Sequence, residues 1–320
     1  MNYTFFFFFF NILSAILVVS SHSWWMMWIC LELNSFFFIP WLMEEKNSMM
    51  GSKSFMYFLI QALASFIFLF CNLLNFFFSP FLSSLAMMVK LGSFPFHFWV
   101  FDIVEMMDWN KFFFFSSFMK VSPWLILLTI CPAQWELMFI LPFSVIIALG
   151  GFEIWSLRLI LTYSSIIHMS WVIMSCCLNK SLSIFYFFSY FISVFFVVDL
   201  LSKKKINSLK ELSKILVTES SIFSLFFWTS ILSFLSIPPF LGFYMKFFVL
   251  KSMIYQKLLI EALLITIFSI FPIYLYLKVF FVSFLFLKLE NLDFSLNKSS
   301  KPNFLIFFFF IFLTLLIWMW

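Results

Sequence analysis

The stretch SPFLSSLAMMVKLGSFPFHFWVF, residues 79–101, is apolar enough to cross a bilayer, yet it carries Lys90 in its middle and is interrupted by Gly92 and Pro95. A second stretch behaves alike: SSIFSLFFWTSILSFLSIPPFLGFYMKFFVL, residues 220–250, has Pro238 and Pro239 at its centre and Lys246 after them. As one straight helix of 1.5 Å per residue it would run about 46 Å, well over a ~30 Å hydrocarbon core, so it has to break. Proline removes a helix donor, and non-helical backbone at membrane depth is tolerated only where protein or a wet cavity covers it. An ionisable group there costs several kcal/mol, about 2.5–3.5 for Lys or Asp, and marks a proton or ion path by default. Broken helices and buried lysines thus point to one place.

The rest of the chain fits a polytopic membrane protein. Of 320 residues 64% are hydrophobic and 10% charged, and the mean hydropathy is +1.10, so too few polar groups exist to cover a globular surface. Phe fills 57 positions and Gly only 5, an imbalance that packing does not require and that suits the codon bias of an A/T-rich organellar genome. The first basic residue is Lys46, so neither a signal peptide nor an organellar transit peptide is expected, and a chain working in an organelle would be made there. Cys30, Cys71, Cys131, Cys176 and Cys177 show no C-x-x-C spacing, which speaks against zinc or iron–sulfur ligation and for small buried hydrophobes. Three histidines are too few for a di-haem bundle.

Cutting the chain at its polar clusters predicts eleven spans, at 4–20, 24–43, 54–75, 79–101, 112–131, 137–156, 158–178, 181–201, 220–250, 258–287 and 303–320. Basic residues test the division, because they gather on the side of insertion. Loops on the N-terminal side carry Lys46, Lys53, Lys111, Arg158, Lys203, Lys204, Lys205, Lys210, Lys214, Lys288, Lys298 and Lys301; opposite loops carry only Lys180, Lys251 and Lys257. The N-terminus should face the cytoplasm or matrix, and the C-terminus the other side. The longest polar stretch, 202–219, reads as a solvated connector or as an amphipathic helix on the membrane surface. Spans one to five overlay on six to ten with the fourth member broken in each set. An odd number of spans per repeat inverts the second copy, the pattern of a transport site. The expected units are therefore 1–131, 132–287 and a tail at 288–320.

Five groups emerge as candidate relay members. Glu32 in WWMMWICLELNSFFF, Lys90, and Lys120 in FFFFSSFMKVSPW each have nearly ten apolar neighbours on both sides, too far for easy snorkelling; a purely structural Glu–Lys pair is the bland alternative. Lys246 lies five residues before Lys251 and admits a snorkelling reading. His168 lies among Ser164, Ser165 and Ser170; those serines either bond their own helix or line a wet segment in which His168 passes protons. Lys278 reads as an interfacial lysine. His97, just past the first break, reads equally as a backbone cap or a proton carrier.

Taken together, CLELNSF, YFLIQALASF, MVKLGSFPFHFWV, LGGFEIWSLRLILTYSSIIHMSW and SIPPFLGFYMKFF, spread over about residues 28–250, resemble the second-subunit family of mitochondrial NADH:ubiquinone oxidoreductase, respiratory complex I, in its short eleven-helix animal form. The resemblance implies an all-α antiporter-like fold of two inverted five-helix repeats, each with one discontinuous helix, in the mitochondrial inner membrane. It implies Glu32 and Lys90 as paired acid and base, Lys120 as central relay, Lys246 as second-half lysine and His168 as connector. Redox centres are expected in partner subunits: this chain would hold no cofactor, while NADH, flavin, iron–sulfur clusters and ubiquinone belong to its neighbours. Its partners would be other complex I membrane subunits and lipids, not nucleic acid. The chain departs from the family pattern in IPPFLGF, where relatives often have glycines before the prolines, and in Phe replacing many aliphatics. A cation/proton antiporter subunit of the same fold and a non-translocating scaffold subunit are the rival readings.

Overall fold

A computed structural model describes residues 2–21, 23–44, 50–74, 79–130, 144, 147, 150–218, 221–236, 238, 240–269, 272–279 and 281. The described residues are almost entirely helical, as lipid requires: a helix satisfies its own backbone where no water can. Helices α1 (Asn2–Ser20), α2 (Trp24–Met43), α3 (Met50–Leu74) and α4 (Ser79–Leu91) pack in succession, each against the next. Short helices α5 (Phe98–Val104) and α6 (Trp109–Ser116) follow, then α7 (Val121–Ile130), which closes against α1, α2 and α4. Helix α8 (Leu157–Leu178) is buried along nearly its whole length. It touches α5, α6 and α7 on one side, and α9 (Lys180–Lys204) and α12 (Leu241–Tyr255) on the other. The short α10 (Leu209–Thr218), then α11 (Ser221–Leu235) and α13 (Leu259–Phe268), complete the described elements.

Six helical segments among the described residues are long and apolar enough to span a membrane: Trp24–Met43, Met50–Leu74, Trp109–Ile130, Leu157–Leu178, Lys180–Lys204 and Leu259–Val279. Of the predicted spans, that at 303–320 lies outside the described residues, as do most of 137–156 and the end of 258–287.

Both expected breaks are present. Helix α4 stops at Leu91 in a left-handed cap: Gly92 has φ 63°, its N–H reaches the Val89 carbonyl at 3.1 Å, and the Ser93 N–H reaches the Met88 carbonyl at 3.1 Å. That is the doubly bonded helix ending that glycine favours, because a Cβ costs energy at positive φ. A Cβ on Gly92 would also run into Val100. The second break separates α11 from α12 at Ser236, φ 60°, with Pro238 in the turn; Ile237 and Pro239 lie outside the described residues. Gly242 in the first turn of α12 comes so close to the Ser233 carbonyl of α11 that a Cβ would collide with it.

Two expectations need correction. The fifth span is not one helix: α6 ends at Ser116, residues Phe118–Lys120 form a 3₁₀ turn, and α7 starts at Val121. Pro123 is the physical cause on one side, since it offers no N–H to the Met119 carbonyl four residues earlier. The side chain of Asn34 replaces it, donating to Met119 O at 3.5 Å and to Ser122 Oγ at 2.7 Å. The 202–219 stretch is not a plain connector: its amphipathic run forms helix α10. Ser208 and Glu211 start α10 as a capping pair, with the Glu211 N–H on Ser208 Oγ at 3.3 Å and the Asn207 N–H on Glu211 Oε2 at 2.8 Å. Ile206, Leu209, Leu212 and Leu216 are then buried against the protein. Backbone bonds Leu157 N–H to Asn207 O, 3.0 Å, and Leu209 N–H to Trp155 O, 3.1 Å, lock it down.

Candidate functional site

The breaks place the lysines. Lys90 occupies the last turn of α4, where exposed carbonyl ends favour a cation. Its own carbonyl is held by Gln61 Nε2 at 3.4 Å, and its side chain is 6% exposed with no hydrogen-bond partner at Nζ among the described residues. Lys120 ends the 3₁₀ turn and is 4% exposed. A cavity of about 20 Å³ lies between these two amines, with Asn34, Tyr57 and Gln61 in its wall, enough room for a single water.

Glu32 faces this group from α2 but is only half-buried, and its carboxylate accepts from the Ser65 hydroxyl of α3. It lies in electrostatic range of Lys90 and Tyr57 without closing an ion pair. The expected acid–base pair is therefore open. The reason is local: Ser65 holds the carboxylate, while the amine turns into the cavity.

On the other side of Lys120 the route continues into α8. Lys120 Nζ donates to Ser165 Oγ at 3.4 Å, and that hydroxyl in turn donates to the Thr162 carbonyl at 2.8 Å. Ser164 and Ser170 likewise bond carbonyls three residues back. All three serines thus bond their own helix, and Ser165 also accepts from the lysine. One helical turn on, His168 is 4% exposed, its Nδ1 lies 3.1 Å from the Tyr186 hydroxyl, and it is in electrostatic range of both Lys120 and Lys246. Tyr190 sits between: its ring centroid is 6.0 Å from Lys120 Nζ and 5.3 Å from the His168 ring, and its hydroxyl reaches Ser116 O at 3.4 Å. Lys246 stands in the second turn of α12, 9% exposed, its Nζ 5.7 Å from the Trp171 ring centroid.

Pair by pair, Glu32 lies in electrostatic range of Lys90, Lys90 and Lys120 line one cavity, and His168 lies in electrostatic range of Lys120 and Lys246. Two other residues have different surroundings. Lys278 donates to the Ile154 carbonyl at 2.9 Å and lies 5.0 Å over Trp155, so it ties down the segment leading into α8. His97 Nδ1 lies 3.1 Å from the Pro95 carbonyl, which can only accept, so His97 serves the backbone of the first break. Cys30, Cys71 and Cys176 are buried and Cys177 half-buried; Cys131 lies outside the described residues.

Sequence reading passed over two stripes of buried polar residues. Ser54, Tyr57, Gln61 and Ser65 on α3, and Ser183, Tyr186, Tyr190 and Ser193 on α9, are all buried and spaced three or four apart. Such polar stripes at helical period inside apolar spans were the available signal.

The matched family model, described as NADH:quinone oxidoreductase/Mrp antiporter transmembrane, covers residues 71–273. The NADH-ubiquinone oxidoreductase chain 2 of Artemia franciscana is 35% identical over 261 residues, 81% of this chain and 83% of that one. The chain 2 of Locusta migratoria is 29% identical over 86% and 83% of the two chains. In structure, a chain of respiratory complex I from Thermus thermophilus with bound aureothin superposes with a TM-score of 0.78 at 21% identity, covering 86% of this chain and 69% of that one. A chain of the Mrp complex from Dietzia gives 0.73 at 16% identity, over 85% and 58%. By sequence match over most of its length and by fold, the chain belongs to the antiporter-like membrane-subunit family of NADH:quinone oxidoreductases and Mrp antiporters.

Proposed function

We propose that this chain is a proton-translocating membrane subunit of NADH:ubiquinone oxidoreductase, and that Glu32, Lys90, Lys120, His168 and Lys246 carry the protons. The observation that supports this reading is the set of buried titratable groups Lys90, Lys120 and His168, the lysines lining one water-sized cavity and Lys120 and His168 each beside a hydroxyl. Energy released by quinone reduction in partner subunits changes the charge on the Glu32–Lys90 couple. The altered field changes the proton affinity of Lys120 across the water-sized cavity, since burial and a neighbouring charge act on a lysine at full strength in a low dielectric. Lys120 then gives its proton towards Ser165, Tyr190 and His168, and Lys246 receives it. The chain itself does no redox chemistry: NADH, flavin, iron–sulfur clusters and ubiquinone are assigned to its neighbours.

In this reading the chain makes eleven crossings of the mitochondrial inner membrane. Residues 1–131 and 132–287 form inverted repeats, 288–320 add the last span, and the N-terminus lies in the matrix with the C-terminus opposite. Co-migration of the chain with NADH dehydrogenase activity on a native gel tests the assignment; a chain that exchanges cations for protons when purified alone would establish the antiporter reading instead. Cysteine labelling tests the orientation: a site beside Lys205 should react from the matrix side and one at Gln256 from the other, and reaction of both from one side refutes it.

A further inference from the structure

The three basic residues on the lysine-poor side, Lys180, Lys251 and Lys257, are far apart in sequence but come together in the fold. Lys180 opens α9, Lys251 lies in the last turns of α12, and Lys257 follows α12 directly. Gln256, directly after α12, donates from Nε2 at 3.3 Å to the carbonyl of Leu178, the last residue of α8 and two positions before Lys180. Between them runs an open groove of about 340 Å³. Its floor is Leu182 with Phe185 and Phe248, whose rings meet edge-on at 5.9 Å, and its rim carries Lys251 with the hydroxyls of Ser181 and Ser252.

We infer that this groove binds an anionic phospholipid, with an acyl chain laid over Phe185 and Phe248 and the phosphate at Lys251. The charge of the rim selects the occupant. All three lysines are exposed, and none is in an ion pair among the described residues. The acidic residue nearest in sequence, Glu261, is turned inward at 7% exposed. An apolar floor ending in unpaired cations and hydroxyls matches a lipid whose phosphate carries uncompensated negative charge. A zwitterionic lipid would bring its own cation to a rim that already carries Lys251, with Lys180 next to the rim residue Ser181 in the chain. Basic residues are otherwise scarce on this side of the membrane, where insertion disfavours them, so their gathering at one groove needs a local cause. The lipid would also clamp α9 to α12, the helices bearing Tyr190 and Lys246.

The test uses the assembled complex in phosphatidylcholine vesicles doped with a photoactivatable phosphatidylglycerol, or with the matching phosphatidylcholine probe. The anionic probe should label the peptides around Phe185 and Phe248, and the zwitterionic probe should label them far less. Lys251→Gln should lower anionic labelling about fivefold, the loss expected per basic residue at an anionic lipid surface, while Lys251→Arg should retain it. Equal labelling by both probes would overturn the proposal, as would labelling indifferent to Lys251→Gln. So would a lysine crosslink from Lys251 to a neighbouring subunit, which would mean that protein covers the groove. The comparison of the two probes in the unaltered complex needs no variant to fold, and none of these readouts depends on proton translocation.

Discussion

Lys120→Arg separates a proton carrier from a fixed charge. Lys120 is 4% exposed, its side chain donates to Ser165 over a long 3.4 Å, and among the described residues no carboxylate lies within ion-pair distance. Removing one partner of a buried ion pair costs about 3–5 kcal/mol because it strands the other charge. No such charge is stranded here. Lys120→Met therefore loses only one long hydrogen bond, at most about 0.5–1.5 kcal/mol, and should assemble. Lys120→Arg keeps the cation but adds bulk beside a cavity of about 20 Å³, an overpacking cost of about 1–3 kcal/mol, so it too should leave assembled complex to measure. Guanidinium does not release its proton at any physiological pH. In membrane vesicles, the ratio of protons moved to NADH oxidised should fall in both variants. An assembled Lys120→Arg complex that pumps like the wild type per electron would refute the relay role. Failure of Lys120→Met to assemble would instead show that the amine is structural.

Gly92→Ala should destabilise the first break by about 1–2 kcal/mol for the left-handed backbone alone, before its overlap with Val100 is counted, and Gly242→Ala should push α12 off α11. Gly51→Ala, with open space around it, is the control; native-gel assembly should fall for the first two and hold for the third. Tyr190→Phe keeps the ring between Lys120 and His168 but removes the hydroxyl, so pumping should slow in a complex of nearly unchanged thermal stability; unchanged pumping would remove Tyr190 from the route. Asn34→Ala should cost about 1–3 kcal/mol by leaving the Met119 carbonyl unsatisfied, and Pro123→Ala, which restores a backbone donor, should recover part of it. Additive losses in the thermal melts of the double variant would refute that pairing.

What could be read from the sequence depended on how local the cause was. Gly92 and Pro238 announce their breaks because a positive φ and a missing donor are properties of one residue. The 3₁₀ turn before Val121 was not legible, since Pro123 alone is compatible with the first turn of a helix. The decisive partner is Asn34, which lies 85 residues from the carbonyl it satisfies. The 202–219 stretch showed its amphipathicity plainly. Amphipathicity says only that a helix has an apolar face, and the backbone bonds that fasten this helix to the segment around Trp155 are set by tertiary structure.

At the site, charges inside apolar spans were conspicuous in the sequence. Their mutual geometry was not conspicuous, and it matters more. An expected Glu32–Lys90 pair turned out to be two groups held apart, one by Ser65 and one by the cavity. The same holds along the line: Lys120 meets a hydroxyl and Lys246 a ring, not carboxylates. A closed buried pair would bind its proton with several kcal/mol of added Coulomb energy, to be supplied again at each transfer. Groups bridged by hydroxyls and a water-sized cavity exchange protons without first breaking such a pair, while remaining near enough for one charge to alter the next. The relay proposed for this chain, reset at every turnover, therefore requires its charges neighbouring but unpaired, and among the described residues Lys90, Lys120 and Lys246 stand in no ion pair.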